Sequence, residues 1–534
     1  MRLAGRAGRP AAAPHAPRRP AAGPAQQLQR RAPSRAAAAP APDGGAPSAA
    51  PQTATAAPSA NGAAADGGAA ESASAAEAAA AAWRQTGGAA AAAAAADAPN
   101  SAATADAAPD AASLRLTASV LTGIDQVNEE EWDAVACGGG EVNPFVSWRF
   151  LWILEASGSA VPEAGWGPRH LVVRDEGGRL VGCCPLYLKG HSYGEYVFDS
   201  SWAQFYSMNG GRYYPKLQCC VPFTPVTGPR LMTAPGPPNF RAAVTKALAE
   251  TLVAATEALG ASSLHVTFSS AEEWAAMGAL GLQQRRGIQY HWENAGYSSF
   301  DDFLAALKQS KRKSIRQERK AVEKQGLRVR RLTGSGGPDG LRPHHWERFH
   351  TFYTDTVDKR WGSAYLTRRF FEMLGSDMAD RVLLVAAEDA SGEMVAGALN
   401  MIGSHALFGR NWGCTPGKEW KGLHFECCYY SAIEEAIARG LPRVEAGAQG
   451  EHKMQRGYLP NFTYSAHYCR DPLLRSAVGR FLEREAQQVN YSWQALTLEA
   501  SPYKQERTIS HLEGKIAAFN SLSSASSLSS ADLE

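Results

Sequence analysis

The chain has 534 residues, enough for two or three domains, and its 54 basic and 52 acidic side chains leave a formal net charge of +2. So even a balance gives no bulk electrostatic reason to expect a nucleic-acid or membrane-surface partner. No run of about twenty apolar residues is present to span a bilayer, so no stable membrane insertion is expected. The nine cysteines include three adjacent pairs and no CxxC spacing, which fits buried thiols rather than a disulfide or zinc framework.

From Met1 to Ala112 the chain is Ala, Pro, Gly, Ser and Thr with very few large apolar residues. Such a stretch cannot bury enough surface to offset the entropy of ordering it, so residues 1–112 are expected to be disordered. Arg2, Arg6, Arg9, Arg18, Arg19, Arg30, Arg31 and Arg35 all precede the first acid, Asp43. An Arg-rich, acid-poor, Ala- and Ser-bearing start reads as an organelle transit peptide, with the chloroplast as the expected destination and the mitochondrion as the alternative.

The foldable part begins near Ser113. Trp148–Ala156 has helical apolar spacing, and His170–Lys189 reads as strand, acidic Gly turn and strand. An amphipathic helix over Phe240–Leu259 is closed by Gly260, and is followed by strand Ser263–Phe268, helix Glu272–Leu280 and strand Arg286–Trp292. A basic helix then fills Phe303–Lys324. The same order then repeats: helices at His345–Val357 and Thr367–Leu374, a hairpin at Arg381–Ile402, and a strand at Ala406–Trp412. Helix Leu423–Arg439 ends at Gly440, with strand Arg443–Ala446, a turn at Lys453–Gly457 and strand Thr463–Cys469 behind it. Periodicity thus predicts a duplicated mixed α/β chain. The expected divisions are 113–300 for the first domain, 301–334 for a basic connector, 335–520 for the second domain and 521–534 for a disordered Ser-rich tail.

The strings HSYGEYVFD (191–199), RYYPKL (212–217), PFTPVTGPR (222–230), YHWEN (290–294), LHFECCYY (423–430) and GAQGEHK (447–453) followed by RGYLP (456–460) occur in that order. The set resembles a largely uncharacterised family of N-acyltransferases grouped with the Fem-like branch of the GNAT superfamily, over approximately Asn143 to Glu485. The resemblance implies two tandem GNAT-like acyltransferase domains with mixed, mainly antiparallel sheets flanked by helices. It also implies transfer of an acyl group from a carrier to an amine.

In that frame the loop between strand Leu407–Trp412 and the helix from Leu423 would cradle a carrier's phosphates, using Lys418, Lys421 and Gly422, with Arg410 as a further anion-binding candidate. The loop departs from the Q/R-x-x-G-x-G/A pattern of acetyl-CoA enzymes, so acyl-CoA or another acyl carrier is expected as co-substrate, with no permanently bound cofactor and no metal. Glu426 among apolar neighbours is a candidate general base, and the alternative is a buried carboxylate paired with Arg410 or a backbone group. Gln449, Lys453 and Arg456 are expected to bind substrate just after a strand, with Glu451 or His452 acting on the amine. In the first half, His191, Tyr193, Glu195 and Arg230 are expected to form a substrate-binding wall. The expected acceptor is a small-molecule or peptide amine. Two alternatives stay open: an aminoacyl-tRNA-dependent peptidyltransferase, supported by the basic helix, and a non-catalytic ligand-binding module. Glu318 and Glu323, at helical spacing from Arg and Lys, read as the salt-bridged solvated face of that basic helix.

Overall fold

A computed structural model describes residues 115–140, 142–359, 364–447 and 450–531, with side chains given to residue 521. These residues lie in one compact unit. The expected transit peptide and Gln449 fall outside the described residues.

The strands are β1 Thr117–Leu121, β2 Trp166–Pro168, β3 His170–Arg174, β4 Leu180–Cys184, β5 Leu186–Lys189, β6 Lys216–Cys219, β7 Met232–Thr233 and β8 Ser263–Ser269. They continue with β9 Gln283–Glu293, β10 Arg328–Thr333, β11 Val382–Glu388, β12 Met394–Ile402, β13 Leu407–Cys414, β14 Arg443–Glu445 and β15 Leu459–Cys469. A four-stranded antiparallel sheet has the order β1-β3-β4-β7. An eleven-stranded mixed sheet has the order β10-β11-β12-β13-β14-β9-β15-β8-β6-β5-β2.

Local chemistry sets the hairpins. Asp175 Oδ1 accepts from the Arg179 backbone N–H at 2.9 Å between β3 and β4, and Asp389 Oδ1 accepts from that of Ser391 at 2.9 Å between β11 and β12. Pro185 then divides what the sequence reads as one returning strand. With no N–H to give the ladder, it ends β4 in the small sheet, and β5 starts afresh in the large one.

The helices used below are α1 Trp148–Ala156, α2 Ser200–Met208, α3 Pro238–Ala258, α4 Phe300–Ala306, α5 Gln309–Glu323, α6 Pro343–Asp358, α7 Arg368–Asp377, α8 Ser431–Ala438, α9 Pro472–Ala500 and α10 Gln505–Ala531. The single basic helix expected over Phe303–Lys324 is therefore two, α4 and α5, broken at Leu307–Lys308, where Lys308 N donates to Pro502 O at 2.8 Å. Helix α10 runs through most of the Ser-rich stretch read from the sequence as a disordered tail. None of the described helices is long and apolar enough to cross a membrane.

Two strand pairs in the large sheet are parallel: β6 with β8, joined across α3, and β13 with β14, joined across the helical segment that ends in α8. Parallel neighbours require such a crossover, so the repeat read from the sequence is built as two equivalent crossover units. The last strand of each half is exchanged. Strand β15 lies between β8 and β9 of the first half, and β9 lies between β14 and β15 of the second.

Pairing register divides the central strands by face. Leu264, Val266, Ala466, Trp292 and Val444 sit in apolar cores on one side. The other side carries a row of buried polar side chains: Gln218, His265, His467, Asn461, Gln289, His291 and Glu445. A sheet face that buries polar groups at this density is built to hold something other than a greasy helix.

Candidate active site

The site begins with a pairing fault. Strands β13 and β14 touch only at Leu407↔Val444 and Phe408↔Glu445. On the other edge of β13, Asn400 pairs with Gly409 and Leu399 with Asn411, so Arg410 is the extra residue of a β-bulge. A bulge raises local twist and bends its strand. Here it turns β13 away from β14 and opens a V between them. At its apex a Cβ on Gly409 would lie 3.3 Å from Glu445 O and 3.4 Å from Ala446 Cα, so glycine is what lets the two backbones meet before they part.

On the helical side of the V, Gly422 has φ +80°, and a Cβ there would sit 3.3 Å from the Glu318 carbonyl oxygen of α5. The chain then forms Leu423–Phe425, a π-helical turn Glu426–Tyr430, and α8. Helix α5 is clamped onto this start. Arg319 Nη2 and Nε reach both oxygens of Glu426, at 2.9 and 3.1 Å, and Arg319 Nη1 reaches Glu434 at 2.5 Å. Arg456 Nη2 donates to both oxygens of Glu318, at 3.0 and 3.1 Å, while its guanidinium lies 3.2 Å over the Phe425 ring. Tyr430 also donates to Glu318.

Glu426 is buried, and burial pushes its carboxyl up while Arg319 pulls it down. Both oxygens are engaged by Arg319, not by Arg410 or a backbone group, the partners expected from the sequence. Glu318 turns inward to Arg456 instead of neutralising its own helix. Lys313, Arg316, Lys320 and Lys324 lie exposed on and just beyond α5, together with the exposed Glu323, and Arg316 pairs with Asp301 at 2.9 Å.

The turn Glu451–Arg456 is a 3-10 helix. His452 Nε2 is 2.9 Å from Tyr429 OH, and the His424 ring lies 5.2 Å from Trp412 and 6.0 Å from His452. Lys453 is buried, donates to Gly447 O at 3.0 Å, and is pushed down to about 8 by burial. Glu451 is exposed, as are Lys418 and Lys421 on the preceding loop, which is tied to the end of α5 by Lys421 N donating to Gln325 at 3.0 Å. The structure thus gathers Gly422, Glu426, His452, Lys453 and Arg456 on the helical side of the V, while Lys418 and Lys421 are exposed on the loop before it and Glu451 at the start of the turn.

Arg410 lies apart from them, on the polar face. It donates to Phe223 O, and its guanidinium is 5.4 Å from the Phe145 ring centre. The group beside it was not singled out from the sequence. Glu445 is 3 % exposed, and neither carboxylate oxygen has a hydrogen-bond partner. Arg443 Nε stands 3.0 Å away but off the hydrogen-bond direction, and His291 Nε2 stands 3.8 Å away. Burial pushes this carboxyl up to about 6, against the pull of Arg443 and Arg410. Burial likewise holds His291 neutral, down to about 3.

The first-half candidates form a separate cluster. Glu195 is buried and accepts from Lys216 Nζ at 2.7 Å, with Lys189 Nζ 3.8 Å away. Lys189 lies 3.3 Å over Trp166 and is pushed down to about 7, by burial above all. His191 Nδ1 is 3.4 Å from Lys189 Nζ, and Tyr193 is 68 % exposed. Arg230 is buried, and its Nε, Nη1 and Nη2 donate to the carbonyls of Thr267, Pro229 and Val226 at 3.0, 3.0 and 2.7 Å. That side chain braces the Pro222–Arg230 loop from within.

A family model named FemAB-like, described as peptidoglycan biosynthesis/recognition, matches residues 123–505. No curated protein matches the sequence. Among solved structures the chain is similar to FemX, at 11% identity and a TM-score of 0.42, covering 66% of this chain and 98% of that one. It is also similar to L-PGS from Bacillus licheniformis, at 10% identity and a TM-score of 0.37, covering 62% and 95%. A GCN5-related N-acetyltransferase from Sphaerobacter thermophilus matches at 14% identity and a TM-score of 0.29, covering 68% and 97%.

Proposed function

The chain belongs to the FemAB-like family of transferases, and from that premise we propose that it moves an acyl group from a carrier onto an amine at the V between β13 and β14. The observation that carries this reading is Glu445, a buried carboxylate at the place where the two strands part, whose oxygens accept no well-aligned hydrogen bond and whose ion-pair partner, Arg443, is partly exposed. A donor carbonyl seated in the V meets the backbone of Arg410, which the bulge leaves out of the ladder and so makes available to a developing oxyanion. Glu445 takes a proton from the attacking amine. His452, bonded to Tyr429, supplies a proton toward the departing carrier on the helical side. Glu426 positions the helix start through Arg319, while Lys418, Lys421 and Gly422 face the anionic part of an acyl-CoA or another acyl carrier. Lys453 and Arg456 fix the turn that walls the site, with Glu451 at the rim.

One observation favours a second reading, in which the donor is an aminoacyl-tRNA. The exposed face of α5 beside the clamped helix start carries Lys313, Arg316, Lys320 and Lys324 against Glu323, a net positive strip along which a polyanion would run. Thermal shifts of the full chain with a panel of acyl-CoAs and with bulk tRNA separate the two. A rise with one acyl-CoA class supports the first reading. A salt-sensitive rise with tRNA alone supports the second. A ligand bound without turnover in either series leaves a binding module. The Arg-rich start is proposed to direct the chain to the chloroplast, and fluorescence of a fusion carrying residues 1–112 tests that address.

A further inference from the structure

Strand β9 ends at Glu293, whose cross-strand neighbour is Arg443 of β14. Directly opposed side chains share a face and lie within reach of each other. Arg443 shares that face with Glu445 as well, because alternation returns every second side chain of a strand to the same side. The guanidinium thus stands between two carboxylates, one across the ladder and one beside it. Its Nε lies 3.0 Å from Glu445 Oε1, so the ion pair it makes is with Glu445.

Helix α10 accounts for that choice. Arg507, His511 and Lys515 follow one another at four-residue steps, which puts them on one stripe of the helix. All three converge on Glu293. Lys515 Nζ is 2.7 Å from Oε1, His511 Nδ1 is 3.3 Å from Oε2, and Arg507 Nη2 is 4.0 Å from Oε2. Both oxygens of Glu293 are therefore taken from the α10 side. Burial pushes its carboxyl up, but His511 and Lys515 outweigh that push and hold it well below the ordinary carboxylate range. The helix also reaches the site electrostatically, since Lys515 and Glu293 both act on His291, which stands 3.8 Å from Glu445. Arg443 itself is held loosely, with its side chain 37 % exposed and its Nε aligned on no acceptor. A guanidinium so placed goes to the carboxylate that carries the larger unbalanced charge.

We infer that Lys515 and His511 of α10 are positioning residues for the base: by occupying Glu293 they reserve Arg443 for Glu445. The assignment rests on the transfer reading above for the use of Glu445 as a base, but not for the coupling between helix and carboxylate. The charged and titratable groups bearing on Glu445 are Arg443 from its own strand, Arg410 from β13 and His291 from β9, with Glu293 and its three partners behind Arg443. While Lys515 sits on Glu293, Arg443 supports the ionised form of Glu445. When Lys515 loses its charge, Arg443 turns toward Glu293, and Glu445 keeps its proton to a higher pH.

Two measurements on the full chain test the coupling. Urea melts at pH 7.5, which need no substrate, give the stability gained on Glu445→Gln in the natural background and again in Lys515→Met. The gain is expected to be larger in Lys515→Met, because an ionised carboxylate that has lost its counter-ion costs more. Adding Glu293→Gln to Lys515→Met is expected to return the gain to its natural size. In an Arg443→Met background, Lys515→Met is expected to leave the gain unchanged. The second measurement is the pH profile of transfer. Lys515→Met is expected to move its rise upward by about one unit while the KM for the donor stays as it was. An equal gain in the natural and Lys515→Met chains overturns the proposal. So does a larger gain that persists without Arg443, which would make Lys515 a direct long-range charge. If the natural protein consumes no acyl-CoA or aminoacyl-tRNA, the transfer reading fails, and the melts still decide the coupling.

Discussion

Glu445 sits where its charge is least welcome, and that gives it two opposite signatures. Its folded carboxyl titrates at about 6, above the ordinary 4.5, so between those values the folded chain holds a proton that the unfolded chain has lost. Stability therefore falls as pH rises through that window, and above it the ionised group costs up to about 2 kcal/mol. Glu445→Gln is expected to raise the melting midpoint at pH 7.5, to be neutral near pH 4.5, and yet to lower the transfer rate at least about a hundredfold. Denaturant melts at the two pH values, beside the rate, check both halves of this expectation. A variant that loses stability at pH 7.5 would make Glu445 an ordinary structural carboxylate. The wild-type rate itself is expected to climb as pH passes about 6, where the base ionises.

The residues also show what the sequence conceals. Arg410 is visible as a charge in an apolar strand, but the bulge that takes it out of the ladder is not, because alternation carries no sign of an extra residue. Glu426 was visible as an acid among aromatics, while its partner Arg319 comes from the connector, more than a hundred residues upstream. Glu445 gave no local signal at all. A lone Glu before Ala and Gly at a strand end reads as solvated, and its burial is made by β9 and β13 from either side.

At the scale of elements, the hairpins and crossover helices were readable because each rests on nearby chemistry, such as an Asp at a turn or a glycine after a helix. The clamp of α5 was not, because Glu318 looked like a partner for its own helix. Removing one side of a partly buried ion pair strands the other, so Arg319→Met is expected to cost about 3 kcal/mol by leaving Glu426 unpaired. The double change Arg319→Met with Glu426→Gln should recover much of that cost in the same urea melts. A smaller perturbation tests the V. Gly409→Ala pushes a methyl against the Glu445 carbonyl and is expected to slow transfer more than it lowers stability, since the backbones yield where they already part. Equal loss in both would mean the apex is packing alone.

For the whole molecule, the duplicated order of elements was legible, and the identity of strand partners was not, because periodicity counts strands without saying whom they pair with. The exchange of β9 and β15 makes each half's sheet depend on the other. Chains ending near residue 300, or starting there, are expected to be unfolded by circular dichroism when produced separately, and to gain structure when produced together. Independent, cooperative melting of either piece would show that the exchanged strands are dispensable.

The same exchange sets a clock on the ribosome. Strand β8 is made roughly 190 residues before β15, the neighbour that pairs its free side, so at ordinary elongation rates its edge waits on the order of 10–40 s. An uncovered strand edge in a nascent chain invites pairing with any other extended segment. Whatever shelters β8 in that interval, a chaperone or a transient contact with the chain's own later residues, governs how much of this protein a cell obtains from each message it translates.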